Sequence, residues 1–411
     1  MNALTSRDVL RPAKKGLGAW VQGKALALAP YAFAFLRHWM PVKKLGSMVL
    51  TSRYDDVKEV FATDPLFGVP YKPKLDVIMG GEPFFLGMAD TPLYHRDTDA
   101  MRMVVLPSDL AGLGQKAEAM AEAIVTAAPG RVEVVDTLVR RVTFSLLGDY
   151  LGVPDPAVGD LRVWGTRLFE FQFADPGGDP VLRADVDQIA PALRAHIDAE
   201  IAKRKAAPGK DDVLSRCLAL QKKGVPGFSD FEIRTNLMGF IVGGPPQPPM
   251  VVPQAMEQLL RRPDALAGAQ AAARAGDDDL LWGYVVEAMR FDPLAPGLPR
   301  IVLADGVIAA GTSHETAVKQ GDTVLAAFAS AMMDPRRITD PTRFDPHRPA
   351  SDYIHFGYNL HECFGRHINR ATLHRMLKPL LKRRNLRRAP GKAGKLVKNG
   401  AFAESLTLVF D

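Results

Sequence analysis

The chain of 411 residues has little of what would build several classes of protein. Its two cysteines, Cys217 and Cys363, are too few for a disulfide framework and favour a reducing compartment, so we expect a cytoplasmic protein. The apolar run 25–36 is interrupted by Pro30 and is too short to cross a bilayer, so we expect at most peripheral membrane contact. The 52 basic residues nearly balance the 46 acidic residues, and this composition gives no reason to expect nucleic-acid binding.

The small excess of positive charge is concentrated near the C-terminus. Residues 378–398 contain nine lysines and arginines and no acidic residue. A run of this kind is either a solvated helix end or a docking surface for an acidic partner protein, and the sequence alone leaves both interpretations open.

Hydrophobic spacing predicts a mainly α chain with small β-sheets. Apolar residues recur at helical spacing in 132–151 and 185–205, whereas 301–325 is rich in β-forming residues and contains a turn. No internal repeat or linker divides the chain into independent halves. We therefore expect an N-terminal extension, 1–47, that packs on a single domain, 48–411.

The segment that is most informative about chemistry is 355–367, which contains Cys363 and three histidines. A loop precedes Cys363 and a predicted helix follows it, and a helix N-terminus with nearby cations stabilises a thiolate. A thiolate on a loop is a metal ligand or a nucleophile. A zinc site is disfavoured because the His and Cys spacing matches no usual zinc pattern. The remaining metal interpretation is a heme iron with an axial thiolate.

This segment resembles the Phe-x-x-Gly-x-His-x-Cys-x-Gly signature of the cytochrome P450 superfamily. In this chain the signature is formed by Phe356, Asn359, His361, Cys363 and Gly365. Asparagine replaces the first glycine, and it is the other residue that tolerates a left-handed backbone. The resemblance runs from about residue 48 to the C-terminus. It implies the cytochrome P450 fold, a triangular helical prism around a buried heme b (iron protoporphyrin IX), with Cys363 as the iron ligand.

A second motif supports the same resemblance. Glu287 and Arg290 match the Glu-x-x-Arg of the family. In the family this pair binds an arginine of the loop before the cysteine, and Arg343 is the residue that we expect in that place, with Arg348 as the other candidate. The resemblance assigns these residues a structural role in holding the cysteine loop.

The resemblance also implies partners for the two heme propionates, which need cationic or hydrogen-bonding groups. Arg300 and His361 stand where the family places such residues. A third partner is expected from a segment that resembles the family's Asp-x-Pro-x-x-His helix start, in which His95 is the histidine. The arginine expected four residues later is Asp99 in this chain, so we expect Arg102 as the substitute, with Arg96 as the alternative.

The distal helix departs from the family pattern. Family members carry an acid and an alcohol there, which relay protons during dioxygen cleavage, but the aligned stretch 243–249 has Pro246 and Gln247 in those places. Proline cannot carry a proton, and glutamine is no general acid near neutral pH. The prolines also predict an interrupted helix. We expect the interruption to line the heme cavity, with Gly244 and Gln247 as the catalytic candidates.

Three functions are consistent with this pattern. The first is a monooxygenase that receives electrons from an acidic ferredoxin-type partner. The second is a peroxygenase or a fatty hydroperoxide isomerase or dehydratase, because family members that rearrange hydroperoxides use an amide side chain where Gln247 lies. The third is a heme-binding protein without turnover. The pocket walls implied by resemblance are apolar, so we expect a hydrophobic small-molecule substrate; these walls are 78–86, 240–244, 294–298 and 401–403.

Overall fold

The structure of the protein is a computed structural model that describes residues 6–11, 17–207 and 209–411. The α-helices in this part of the chain are α1 (Ser6–Val9), α2 (Leu17–Trp39), α3 (Tyr54–Ala62), α4 (Lys72–Met79), α5 (Pro92–Arg102), α6 (Leu110–Ala127), α7 (Arg141–Leu151), α8 (Leu161–Phe169), α9 (Pro180–Ala206), α10 (Val213–Lys222), α11 (Asp230–Gly243), α12 (Pro248–Leu260), α13 (Pro263–Ala275), α14 (Asp278–Phe291), α15 (Phe328–Ala331) and α16 (Arg366–Leu381). The expectation of a mainly α protein is confirmed.

The strands form small sheets at the edges of this helical body. They are β1 (Val42–Leu45), β2 (Met48–Thr51), β3 (Phe67–Gly68), β4 (Arg131–Glu133), β5 (Leu298–Val302), β6 (Gly306–Ile308), β7 (Thr316–Val318), β8 (Thr323–Ala326), β9 (Arg387–Arg388), β10 (Val397–Asn399), β11 (Phe402–Ser405) and β12 (Thr407–Val409). The largest sheet has the order β1-β2-β8-β5-β3, and a second sheet has the order β4-β12-β9. The pairs β6–β7 and β10–β11 are two-stranded.

Helix α12 lies at the centre of the molecule. Every residue from Pro248 to Leu259 is buried, and the helix packs on α14, α16 and β11. A helix that is buried on all sides must be apolar around most of its circumference, and its sequence is rich in valine, methionine and leucine. Because α12 contacts both the C-terminal sheets and the last long helix, it fixes the positions of the elements that surround the site.

Helices α11 and α12 are separated by a short turn that the proline run explains. A capping box formed by Ser229 and Glu232 starts α11, and the helix ends at Gly243. Helix α12 starts at Pro248, where the first turn of a helix needs no backbone N–H donor and therefore tolerates proline. The interruption predicted for the distal helix is thus the four residues 244–247.

The predicted boundary between an N-terminal extension and the main domain falls inside a β-hairpin. Strand β1 pairs antiparallel with β2, and β2 pairs parallel with β8. The turn between β1 and β2 contains Gly46 at a φ of +60°, a conformation that favours glycine. The single domain stays a prediction. Its largest sheet includes β1, which starts at Val42 and therefore lies before the predicted boundary.

Helix α2 contains the apolar run with Pro30. In the described residues of the chain, no helix combines the length and the hydropathy that a bilayer crossing requires. Arg37 attaches the helix to α15 by donating to the backbone carbonyl and the hydroxyl of Ser330, at 3.0 and 2.9 Å. Tyr31 and Trp39 are nevertheless largely exposed. Arg37 thus contacts the body of the protein, whereas most of the surface of Tyr31 and Trp39 does not, and the packing of the whole extension 1–47 stays a prediction.

Candidate functional site

The loop before α16 presents Cys363. The backbone N–H of Cys363 donates to the carbonyl of Phe356 at 2.7 Å, which closes the loop on itself. Gly357 and Asn359 both have positive φ, at +77° and +62°. Asparagine can therefore replace the family glycine at 359, because it adopts the left-handed conformation that the loop requires. Gly365 then forms the N-terminal boundary of α16.

The protein groups around Cys363 do not make its sulfur a thiolate by themselves. Burial raises the pKa of the Cys363 thiol to about 11, and the adjacent backbone N–H and the Arg366 charge only partly oppose that effect. Arg366 is engaged elsewhere, since its guanidinium donates to the carboxylate of Glu362. The adjacent N–H and Arg366 thus act in the direction that the sequence analysis expects, and the thiolate itself stays a prediction. A metal ion deprotonates a coordinating thiol outright, which is consistent with an iron ligand at this position.

Arg300 supplies a buried cation close to the cysteine loop. Its side chain on β5 is 2% exposed, its Nε has no hydrogen-bond partner, and it forms no ion pair within the described residues. Burial lowers its pKa, with the neighbouring Tyr71 and Asp64 opposing that shift. A buried, unpaired guanidinium is costly, and an anionic group would offset that cost. His361 lies near this charge, and burial followed by the Arg300 charge lowers the His361 pKa to about 4. These residues fit the carboxylate end of a heme.

His95 and Arg102 each pair with a carboxylate close by in sequence. His95 is half exposed and pairs with Asp90 at 2.6 Å, and Arg102 is more exposed still and pairs with Asp99 at 2.9 Å. The role of His95 and Arg102 as propionate partners therefore stays a prediction.

Tyr94 occupies the position that was expected for His95. Its side chain is buried, its ring centroid lies 5.6 Å from that of His361, and its hydroxyl donates to the carbonyl of Leu360. One residue along a helix turns the side chain by about 100°, so a register difference of one exchanges an inward residue for an outward one. The inward spacing of Tyr94, Thr98 and Met101 is the sequence signal that could have set the register.

The Glu287 carboxylate is the centre of a fully buried network. Arg290 donates to both of its oxygens, at 2.7 and 2.8 Å, and Glu287 and Arg290 are 0% and 1% exposed. Tyr353 donates to the same carboxylate at 3.1 Å. Burial raises the pKa of Glu287, but the hydrogen bonds and charge of Arg290 with those of Arg348 outweigh it, so the pKa lies below the ordinary value.

The third member of this network is Arg348, whereas the prediction selected Arg343. Arg348 Nε donates to Glu287 at 3.1 Å, and its side chain is almost completely buried. The Arg343 side chain is exposed and faces Asp345, and only its backbone carbonyl takes part, as an acceptor for Arg290 and Arg348. Sequence spacing could not separate the two arginines because a tertiary turn decides which one points inward.

The turn between α11 and α12 contains Gly244 and Gln247. The Gln247 side-chain amide donates to the carbonyl of Gly243. The backbone N–H of Gln247 donates to the carbonyl of Gly244 at 3.2 Å. The glutamine therefore satisfies a carbonyl that the broken helix leaves without its usual partner. A Cβ at Gly244 would stand 2.7 Å from the Phe240 carbonyl, so this position excludes a larger residue. No carboxylate or hydroxyl side chain occurs in 243–249.

The predicted pocket walls form two apolar clusters, one on each side of this turn. In the first, Phe85, Phe240 and Phe364 pack with ring centroids 5.1 to 6.2 Å apart, which brings α11 to the residue next to Cys363. In the second, Phe402 and Leu294 pack with Met250 of α12 and with Phe169 of α8. The first cluster thus contains residues of the predicted walls 78–86 and 240–244, and the second contains residues of 294–298 and 401–403.

The basic stretch 378–398 is largely paired within the molecule. The residues of this stretch that form ion pairs are Lys378, Lys382, Arg383, Arg387, Arg388 and Lys398. Lys378, for example, binds Asp278 at 2.7 Å and Glu118 at 3.1 Å. The structure therefore favours the solvated or paired interpretation for most of this stretch over a free docking surface.

Comparison with known proteins gives one family. The family model described as Cytochrome P450 matches residues 182–405. Solved structures with the same fold include CalO2, at a TM-score of 0.77 and 21% identity over 94% of this chain and 97% of that one. Another is P450BioI in complex with hexadec-9Z-enoic acid ligated acyl carrier protein, at a TM-score of 0.81 and 17% identity over 95% and 100%. At these identities the likeness shows the fold.

Curated relatives differ in how much of their length this chain covers. A bifunctional dioxygenase (DOX)-epoxy alcohol synthase (EAS) of Pyricularia oryzae is 32% identical over 46% of this chain and 17% of its own length. The monooxygenase PikC of Streptomyces venezuelae is 27% identical over 65% and 59%. The vitamin D(3) 25-hydroxylase of Pseudonocardia autotrophica is 24% identical over 82% of each chain. The chain thus spans less than two thirds of the first two relatives.

Proposed function

This chain belongs to the cytochrome P450 family, and from that premise we propose that it is a monooxygenase. It would transfer one oxygen atom of O2 to a hydrophobic small molecule, release the other as water, and receive electrons from a ferredoxin-type protein in the cytoplasm. The observation that carries this proposal is the apolar cluster of Phe85, Phe240 and Phe364, in which Phe364 is the residue that follows Cys363. A hydrophobic substrate held against Phe85 and Phe240 would lie close to the proposed heme. The hydroxylase and monooxygenase names of the bacterial relatives agree with it.

The cofactor that we propose is heme b, held by residues of this chain. Cys363 would ligate the iron, and Arg300, His361 and Tyr94 would meet the propionates through charge and hydrogen bonds. When bound, the heme supplies the electron transfer and oxygen chemistry that amino-acid side chains do not provide. The aromatic residues exclude water from this space, which strengthens the interaction between Arg300 and a carboxylate. Gln247 can donate or accept a hydrogen bond at the turn but cannot deliver a proton by itself.

A second candidate function is the isomerisation or dehydration of a fatty hydroperoxide, or a peroxygenase reaction that transfers one oxygen atom of a peroxide to the substrate, and none of these reactions needs an electron donor. Pro246 and Gln247 favour it, because a substrate that already contains the O–O bond does not require an acid–alcohol pair. The printed name of the Pyricularia oryzae relative includes an epoxy alcohol synthase, which agrees with this candidate. The same apolar cluster of Phe85, Phe240 and Phe364 would then hold a fatty hydroperoxide.

One experiment separates the two candidates. The purified heme protein is incubated with an apolar substrate library in two arms, one with NADPH, a surrogate ferredoxin and its reductase, and one with hydrogen peroxide or a fatty hydroperoxide alone. Product that forms only in the reductant arm supports the monooxygenase. Hydroperoxide consumption without reductant supports the second candidate and contradicts the first. An intact heme spectrum without turnover in either arm would contradict both and leave a heme-binding protein.

Gln247→Ala tests the distal turn in whichever arm is active. We expect turnover to fall about tenfold, the worth of one lost hydrogen bond near the reacting atoms, while heme content is unchanged. Gln320→Ala on an exposed turn is the matched control and should leave turnover unchanged. Unchanged turnover of Gln247→Ala would mean that the amide does not act on the reaction.

A further inference from the structure

The segment that contains Val9, Leu10 and Arg11 lies against one of the two apolar clusters of the pocket. Val9 is 0% exposed and Leu10 is 4% exposed. Leu10 packs in one cluster with Phe402, Met250 and the adjoining Leu294. Helix α1, which ends at Val9, contacts α8 and β11. Residues far apart in sequence therefore enclose Leu10 on several sides.

Met250 connects this cluster to the distal turn. It lies in the first turn of α12, three residues after Gln247, and its backbone N–H donates to the Gln247 carbonyl at 2.9 Å. Leu294 and Phe402 belong to the walls that the sequence assigns to the pocket. Leu10 thus packs directly against residues of two predicted pocket walls and against the first turn of α12.

Arg11 holds this segment in place through groups on two different parts of the molecule. Its guanidinium binds Glu170 at 2.7 Å and Asp179 at 2.9 Å, and all three side chains are mostly buried. From the other side, the Asn399 side-chain amide donates to the Arg11 carbonyl at 2.7 Å. Charge-assisted bonds of this geometry are stronger than neutral ones, and two acceptors fix the orientation of a guanidinium. The segment is therefore anchored both to the region between α8 and α9 and to β10.

We propose that Leu10 is a specificity-determining residue that limits the size of the substrate, with Arg11 as its positioning residue. This inference rests on the proposed heme enzyme and adds to it a pocket wall supplied by the first described residues of the chain. A wall that is close-packed cannot be displaced by one or two methylene groups without cost, so ligands that extend past Met250 should bind poorly.

Ligand binding to the heme protein tests the proposal without turnover. The probes are imidazole and N-alkyl imidazoles of increasing chain length, whose ring nitrogen binds the heme iron and shifts its absorption spectrum. Leu10→Ala should leave the affinity for imidazole unchanged and raise the affinity for long-chain probes about tenfold, because the added space accepts apolar atoms. Leu10→Trp should shift the chain-length limit in the opposite direction.

Arg11→Gln separates positioning from a structural role. We expect it to broaden the chain-length profile as Leu10→Ala does, at the heme content of its control, and to lower the melting temperature because Glu170 and Asp179 keep their mostly buried charges without the cation. That control is Arg183→Gln, which removes an exposed ion pair with Asp187 on α9. For Leu10, the control is Val181→Ala, at an exposed apolar residue.

The outcomes distinguish this proposal from the proposed function. A wild-type chain-length profile in Leu10→Ala, Leu10→Trp and Arg11→Gln, at normal heme content, overturns the pocket wall and leaves the heme enzyme standing. An equal loss of affinity for all probes, imidazole included, also overturns it, because that result indicates a structural role. A protein that binds no heme in its wild-type form contradicts the proposed function itself.

Discussion

Two residues of this site, Cys363 and Arg300, suit different parts of a ligand. Burial raises the pKa of the Cys363 thiol to about 11, and a coordinated metal ion would deprotonate it. Arg300 is buried and its Nε has no hydrogen-bond partner, so its charge fits an anionic ligand. We therefore propose Cys363 for the iron and Arg300 for the carboxylates of a heme.

Cys363→Ser tests the ligand assignment. An alcohol is a far weaker ligand than a thiolate, so the carbon monoxide complex of the reduced protein should lose its thiolate-type absorption band. The measurement is the difference spectrum of reduced protein with and without carbon monoxide. Cys217→Ser, at a buried cysteine of α10, is the control and should keep the band. A band that persists in Cys363→Ser would contradict the assignment.

At the scale of elements, the turn between α11 and α12 is set by sterics as well as by prolines. Gly243 and Gly244 are adjacent, yet a Cβ at Gly243 meets no atom within 4 Å outside the backbone of its own helix, whereas one at Gly244 would stand 2.7 Å from the Phe240 carbonyl. That carbonyl belongs to the helix backbone and cannot move without disturbing α11. The path of the chain at the turn therefore depends on the second glycine and not on the first.

Gly244→Ala and Gly243→Ala form a matched pair that tests this turn. Gly244→Ala should lower the free energy of unfolding by about 1 to 3 kcal/mol, the usual cost of forcing an atom into packed structure. It should also weaken the binding of heme-iron ligands. Gly243→Ala should change the stability by less than about 1 kcal/mol. Urea unfolding and imidazole titration measure the two effects, and equal behaviour of the variants would contradict the steric argument.

At the scale of the whole molecule, the Glu287 network joins α14 to the chain that leads to Cys363. Arg348 and Tyr353 reach Glu287 from that stretch, and Arg290 reaches it from α14. The network therefore couples the position of the cysteine loop to the helical core. Removing the carboxylate would leave two buried guanidinium groups without their anion, which is more damaging than removing the whole network.

Glu287→Gln should lower the free energy of unfolding by about 3 to 5 kcal/mol and reduce heme retention. The pH dependence follows from the depressed pKa of Glu287 in the folded protein. Its stabilisation is fully present above the unfolded-state pKa of about 4.3 and is lost as the pH falls through the lower folded value. The acid limb of a pH–stability curve should therefore be shallower in Glu287→Gln than in the wild type. The control is Glu315→Gln. Glu315 lies on an exposed turn, where its carboxylate accepts a hydrogen bond from the backbone N–H of Gly311.

The sequence predicted those features of the fold and the site that depend on residues close together in the chain. The cysteine loop, the Glu287–Arg290 pair and the helix interruption were predictable, because each depends on residues a few positions apart. Local spacing fixes which side chains share a loop or a helix turn. The choice between Arg343 and Arg348 was not accessible in this way, because both arginines precede the same loop and only the folded turn buries one of them.

The sequence by itself therefore determined the mainly α architecture and the absence of an acid or alcohol side chain in 243–249. The tertiary structure decided which face of α5 turns inward, placing Tyr94 beside His361 and leaving His95 half exposed and paired with Asp90. It also decided where Leu10 lies, against Phe402 near the other end of the chain. The physical reason is that motifs are encoded by local backbone geometry, whereas burial and charge pairing depend on packing between segments that are distant in sequence.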